Sequence, residues 1–104
     1  MSHADHGLPA AVVRRIHATL ASIPQVEQAT LYGSRALGCF RPGSDIDLTL
    51  SGADLTARDL ARLDTALDDL LLPWRFDLSL RESLESPALL EHIERVGKVF
   101  YQRA

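Results

Sequence analysis

Apolar positions along this chain change their period several times, and each change marks an element. Val12, Val13, Ile16, Leu20 and Ile23 recur at helical spacing, with Arg14, Arg15 and His17 at other positions. Pro9 suits a first helical position, so the pattern predicts a helix over 9–22 that ends near Pro24. Residues 26–32 then read as a strand delivering the chain into Gly33, with imperfect alternation. Arg41-Pro42-Gly43-Ser44 has turn chemistry, since Pro sets φ and Gly accepts a positive φ. Residues 45–50 follow as a second strand, closed by Ser51-Gly52. Thr56 and Asp59 stand at capping-box spacing, with Asp in place of the usual Glu. Leu60, Leu63, Leu67, Leu70 and Leu71 then form one stripe, which predicts a helix of about 15 residues stopping before Pro73.

Residues 74–80 read as the third strand, with Asp77 facing opposite to Phe76 and Leu78. Ser86 is an N-cap and Pro87 a first helical residue; Leu89, Leu90, Ile93 and Val96 make the stripe, and Gly97 stands at a C′ position. Val99, Phe100 and Tyr101 read as an apolar tail that packs without an assigned element. The order helix, strand, strand, helix, strand, helix predicts one α/β (α+β) domain over residues 1–104. It is a small mixed β-sheet flanked by helices, with 1–8 as a flexible tail.

Composition narrows the function without choosing it. The 104 residues suffice for one core, and 46% hydrophobic with 24% charged residues is the balance of a globular domain. A net charge of −3 argues against direct nucleic-acid binding, which leans on clustered Lys and Arg. No apolar run approaches the roughly 20 residues that span a bilayer, and residues 1–8 contain no apolar signal-peptide core. Cys39 is a lone cysteine, so no internal disulfide can form, which is compatible with a cytoplasmic location. It reads as a small packed residue, while His3 and His6 read as part of a mobile terminus and His17 and His92 as structural or surface residues.

The chemistry concentrates in two short stretches. Asp45 and Asp47 share one face of their strand, with Cα atoms about 6.6 to 7 Å apart. Two carboxylates so placed can converge on a pair of Mg²⁺ ions about 3.5 to 4 Å apart, the arrangement for in-line displacement at phosphorus. Asp is depleted in strands, yet Asp45, Asp47 and Asp77 all sit within apolar runs. Brought together they repel one another unless a cation neutralises them. Just upstream, Gly33 and Gly38 let backbone approach a ligand closely, their neighbouring N–H groups can form an anion-binding nest, and Ser34 adds a hydroxyl. Arg35 and Arg41 bring guanidinium groups that fit phosphate as well as they fit a surface ion pair.

Gly33-Ser34 with Gly38, followed by Arg41-Pro42-Gly43-Ser44-Asp45-Ile46-Asp47-Leu48, resembles the signature of the DNA polymerase beta-like nucleotidyltransferase superfamily. Asp77, within Phe76-Asp77-Leu78-Ser79-Leu80, matches the third Asp of that pattern on a later strand. The short chain is similar to the minimal nucleotidyltransferases, commonly encoded beside a protein with a HEPN domain. The resemblance implies that Asp45 and Asp47 hold metal, and that Asp77 helps bind the catalytic metal and activates the attacking hydroxyl. It implies phosphate binding at Gly33, Ser34, Arg35, Gly38, Arg41 and Ser44, with two Mg²⁺ ions as cofactor and ATP as substrate. Many minimal nucleotidyltransferases carry a second Arg where this chain has Leu37.

The expected activity is transfer of a nucleoside monophosphate, AMP above others, onto a hydroxyl of a partner protein. By resemblance that partner is a HEPN toxin and this chain its antitoxin, in a homo- or hetero-oligomer. A non-enzymatic module that neutralises a HEPN ribonuclease by covering it is the alternative, and an intact acidic triad speaks against it. A small-molecule nucleotidyltransferase is a third reading, for which an acceptor domain is missing.

Overall fold

The computed structural model describes residues 6–104; His3 lies outside them. Helix α1 (Ala10–Ala21) leads to strand β1 (Gln28–Tyr32) and a single turn of helix α2 (Ser34–Leu37). Strand β2 (Ile46–Ser51), helix α3 (Ala57–Asp68) and strand β3 (Phe76–Leu80) follow. A 3₁₀ turn (Arg81–Ser83), helix α4 (Pro87–Val96) and strand β4 (Lys98–Gln102) complete the chain. The sheet has the order β3-β2-β1-β4, with β1 antiparallel to both of its neighbours and β2 parallel to β3.

Local chemistry sets the helix starts. The Thr56 hydroxyl accepts the Asp59 N–H at 3.2 Å and the Asp59 carboxylate accepts the Thr56 N–H at 3.1 Å, a reciprocal capping box. Ser86 accepts the Leu89 N–H at 3.2 Å, with Pro87 at the first helical position. One face of the sheet buries Ala29, Leu31, Ile46, Leu48 and Leu50, and Ile16, Leu20, Leu63 and Leu67 of α1 and α3 join them in a single core. Burying that apolar area is the main favourable term of the fold. Helix α4 packs on the opposite face, against β1.

Five expectations need correction. The apolar tail is a strand: β4 pairs with β1, and a bulge between Ala29 and Thr30 shifts its register so that Phe100 is buried. His17 fastens it from α1, its Nε2 lying 2.6 Å from the Phe100 carbonyl oxygen. Helix α3 stops at Asp68, short of the stripe's end, because i→i+3 bonds from Leu70 and Leu71 tighten the last turn and Leu71 turns left-handed at φ 57°. Leu71 is consequently 89% exposed. Gly97 has an extended backbone at φ −61°; a side chain there would collide with the Ile93 carbonyl and come within 2.8 Å of Thr30 Cγ2, so close packing of α4 on β1 demands the glycine. Cys39 is exposed, not packed. Nor does the expected tail extend through residue 8, since Leu8 is buried in the core and the His6 carbonyl accepts a bond from Arg35.

Candidate active site

Register across three strands assembles the polar cluster. Asp47 on β2 pairs with Asp77 on β3 and with Tyr32 on β1, so the three side chains form one row on the face away from the main core. Asp45 lies just before β2, on the same side by parity, and is exposed, as is Asp77; Asp47 is half-buried. Among the described residues no three acidic, histidine or cysteine side chains stand as a ready metal-binding cluster. Asp45, Asp47 and Asp77 therefore share a face without converging on one point. They do act on one another electrostatically. Burial, reinforced by Asp77 and Asp45, pushes the Asp47 carboxyl up to about 6, while His92 pulls the other way.

Tyr32 belongs to the same cluster. Burial raises its phenol; the Ser79 hydroxyl opposes the shift, and Asp77 and Asp47 add to it. The approach of Tyr32 to Ser79 falls short of hydrogen-bond geometry, so Ser79 Oγ and the neighbouring Thr49 Oγ1 are both buried without a partner. Thr49 and Ser79 are register partners one row behind the carboxylates.

The Gly33-Ser34 turn stands directly beside Asp47. Gly33 adopts φ 76°, ψ −157°, and a Cβ there would collide with Asp47 Oδ2, so both backbone conformation and close approach require glycine. The Gly33 carbonyl accepts the Leu37 N–H at 3.1 Å, and the Ser34 carbonyl accepts the Gly38 and Cys39 N–H groups at 2.9 and 3.1 Å. Gly38 ends the turn in the left-handed region at φ 84°. The Gly33 N–H donates to His92 Nε2 at 3.2 Å.

The remaining candidates serve the loop itself. Arg35 is 1% exposed and donates through Nε and Nη2 to the Ser44 carbonyl (3.1 and 3.0 Å), through Nη2 to Pro42 O (3.2 Å) and through Nη1 to His6 O (2.8 Å). Its guanidinium also stacks over Phe40 at 5.0 Å and Trp74 at 5.7 Å. Arg35 is thus a buried strut that closes residues 39–44 over the core, which corrects its expected role on phosphate. Ser44 and Arg41 close a turn, with Ser44 N–H to Arg41 O at 2.9 Å and Arg41 N–H to Ser44 Oγ at 2.8 Å. The Arg41 side chain is exposed to solvent.

Two residues of the cluster carry no signal in the sequence. Tyr32 reads as the end of a strand, and His92 as a helical surface residue 59 positions from Gly33. Strand parity relative to Asp47 would have flagged Tyr32 had the β1–β2 register been known. Nothing local marks His92.

A family profile described as "Polymerase beta, Nucleotidyltransferase" matches residues 14–104. A solved structure described as a minimal nucleotidyltransferase is 31% identical at TM-score 0.62, the match covering 94% of this chain and 98% of that one. A chain of a toxin–antitoxin complex solved with AMP-PNP is 26% identical at TM-score 0.70, covering 88% and 73%. A third match, from a tri-AMPylated Shewanella oneidensis HEPN toxin in complex with an MNT antitoxin, has TM-score 0.65 over 89% and 71% at 23% identity, where likeness speaks for the fold alone. No curated protein matches the chain. The profile takes in β1 to β4 and with them every strand that builds the polar row, and on that ground the chain belongs to the polymerase beta nucleotidyltransferase family.

Proposed function

We propose that this chain transfers AMP from ATP, with Mg²⁺, to a hydroxyl of a HEPN toxin and so acts as that toxin's cytoplasmic antitoxin. The observation that carries the reading is the in-register pair Asp47 and Asp77 directly beside the Gly33-Ser34 turn. The solved toxin–antitoxin complex with AMP-PNP, 26% identical, supports the choice of an adenine nucleotide and of a toxin as partner.

The donor set suits the metal. Asp45, Asp47 and Asp77 offer hard carboxylate oxygens, and the upward pressure on the Asp47 carboxyl is the kind a cation relieves. Mg²⁺ is held by one or two carboxylates together with substrate phosphates, so carboxylates open toward solvent at Asp45 and Asp77 fit it. Two ions held by the three Asp residues would neutralise the phosphates and the charge that develops during displacement. The Gly33-Ser34 turn would take the phosphates, Gly38 and Ser44 would keep the loop's shape, and the Arg41 guanidinium is available to the same charge. In the transfer the acceptor oxygen bonds to the α-phosphorus, the bond from that phosphorus to pyrophosphate breaks, and pyrophosphate leaves with the electron pair. Asp77, the exposed member of the row, takes the hydroxyl proton.

The test is incubation with ATP, Mg²⁺ and a HEPN protein that binds this chain, followed by intact-mass measurement of that protein. The expected result is a mass gain of one adenylyl group per event, lost with Asp77→Ala while the two proteins still associate. No adduct from wild type, with full neutralisation by Asp77→Ala, would establish the non-enzymatic covering module instead.

A further inference from the structure

His92 projects from α4 into the cleft, and three observations meet on it. Its Nε2 accepts the Gly33 N–H at 3.2 Å, which fixes the neutral ring's proton on Nδ1. Its ring stands edge-on to Tyr32, centroids 6.2 Å apart at 79°. The Gly33 position that it holds stands against Asp47, whose Oδ2 occupies the place of a Cβ at 33. Gly33 carries no side chain and lies at a positive φ, so its neighbours' contacts set the orientation of its peptide. Rotation of the peptide at Gly33 would move the turn relative to Asp47, which it closely approaches. The bond from α4 opposes that rotation, reaching across 59 residues of sequence.

We infer that His92 is a positioning residue of the nucleotide site: its imidazole locks the Gly33 peptide so that the Gly33-Ser34 turn and Asp47 present one pre-formed surface to the nucleotide phosphates. The inference rests on the nucleotide-binding reading above. It assigns to α4 a direct hold on substrate affinity, separate from the carboxylates that handle metal and proton. Preorganisation of this kind appears in binding, because the loop's ordering is completed before the ligand arrives. The effect therefore falls on KM for the nucleotide more than on kcat.

Three variants separate the hydrogen bond from ring packing. His92→Ala removes both, His92→Phe keeps an aromatic edge against Tyr32 but has no acceptor, and His92→Gln places an amide oxygen near the position of Nε2. Binding of Mg²⁺–AMP-PNP is measured by calorimetry, beside KM and kcat for ATP and the amide-proton exchange of Gly33 in the nucleotide-free protein. The expected result is affinity weaker by about five- to tenfold in Ala and Phe, the scale of one net hydrogen bond, with kcat within about twofold. Gln should restore affinity, and Gly33 exchange should quicken in Ala and Phe only. A Phe variant that binds like wild type would overturn the inference in favour of packing. Unchanged Gly33 exchange in Ala would overturn the hydrogen bond itself. If wild type binds no Mg²⁺–AMP-PNP, the site reading falls and the role of His92 with it; wild-type binding with an unaffected Ala variant defeats the His92 inference alone.

Discussion

The two faces of the sheet are built from the same strands by opposite rules. On one face Ala29, Leu31, Ile46, Leu48 and Leu50 are buried against α1 and α3, apolar atoms against apolar atoms. On the other, alternate residues of those strands and of β3 place Tyr32, Asp47, Asp77, Thr49 and Ser79 side by side. There two buried hydroxyls have no partner and a carboxyl is pushed far above its ordinary value near 3.8. Each feature of the polar face opposes folding, since an unpaired buried hydroxyl or a desolvated, repelled carboxylate is better served by water. The apolar face holds that arrangement in place. Groups that destabilise the free chain are the ones a metal and a nucleotide would satisfy, so the difference between the faces separates stability from function within strands of five or six residues.

The comparison breaks most readily from its stable side. Leu48→Ala should cost about 2–5 kcal/mol in denaturant unfolding, the range for a fully buried leucine, while folded molecules of the variant keep their response to nucleotide. Loss of nucleotide response in molecules still folded would show that the two faces are not separable.

Asp45→Asn with Asp47→Asn should do the reverse. Thermal stability without ligand should rise, because repulsion and desolvation are relieved. The gain on adding Mg²⁺ with AMP-PNP should vanish; in wild type it amounts to about 2.7 kcal/mol at a hundredfold excess over Kd. The pH dependence follows from the same carboxyl. With its pKa raised from 3.8 to about 6, native Asp47 binds its proton more tightly than the unfolded chain does. Its penalty is absent below about pH 4, grows as pH rises to about 6, and is constant above. The stability of Asp47→Asn minus that of wild type, measured in EDTA, should therefore increase across that window and level off. A difference that shrinks with rising pH would contradict the placement of Asp47.

The smallest expected effect is the sharpest. Thr49→Val keeps the shape of a side chain that is 0% exposed and removes its orphan hydroxyl. Stability should rise by about 1 kcal/mol, as for other unsatisfied buried polar groups. A loss of similar size would mean that the hydroxyl is paired in solution.

What the sequence by itself determined lies within a few residues of chain. The Thr56–Asp59 capping box and the Ser86-Pro87 start of α4 are as the pattern predicts. Each depends on bonds or sterics between close neighbours, which local composition encodes. Tertiary structure decided the rest. Asp77 meets Asp47 only because β3 joins β2 in one particular register, and a slip of one residue would turn Asp77 to the other face. The guanidinium of Arg35 looks like a phosphate ligand until the loop folds over it and four bonds go to backbone carbonyls. The residues at 98–102 lack a clean alternation because a bulge interrupts them, and their pairing partner is far away in sequence. His92 reaches Gly33 across most of the domain. Contacts between segments distant along the chain depend on how helices and strands pack together, and that packing is a property of the whole core and not of any short pattern within it.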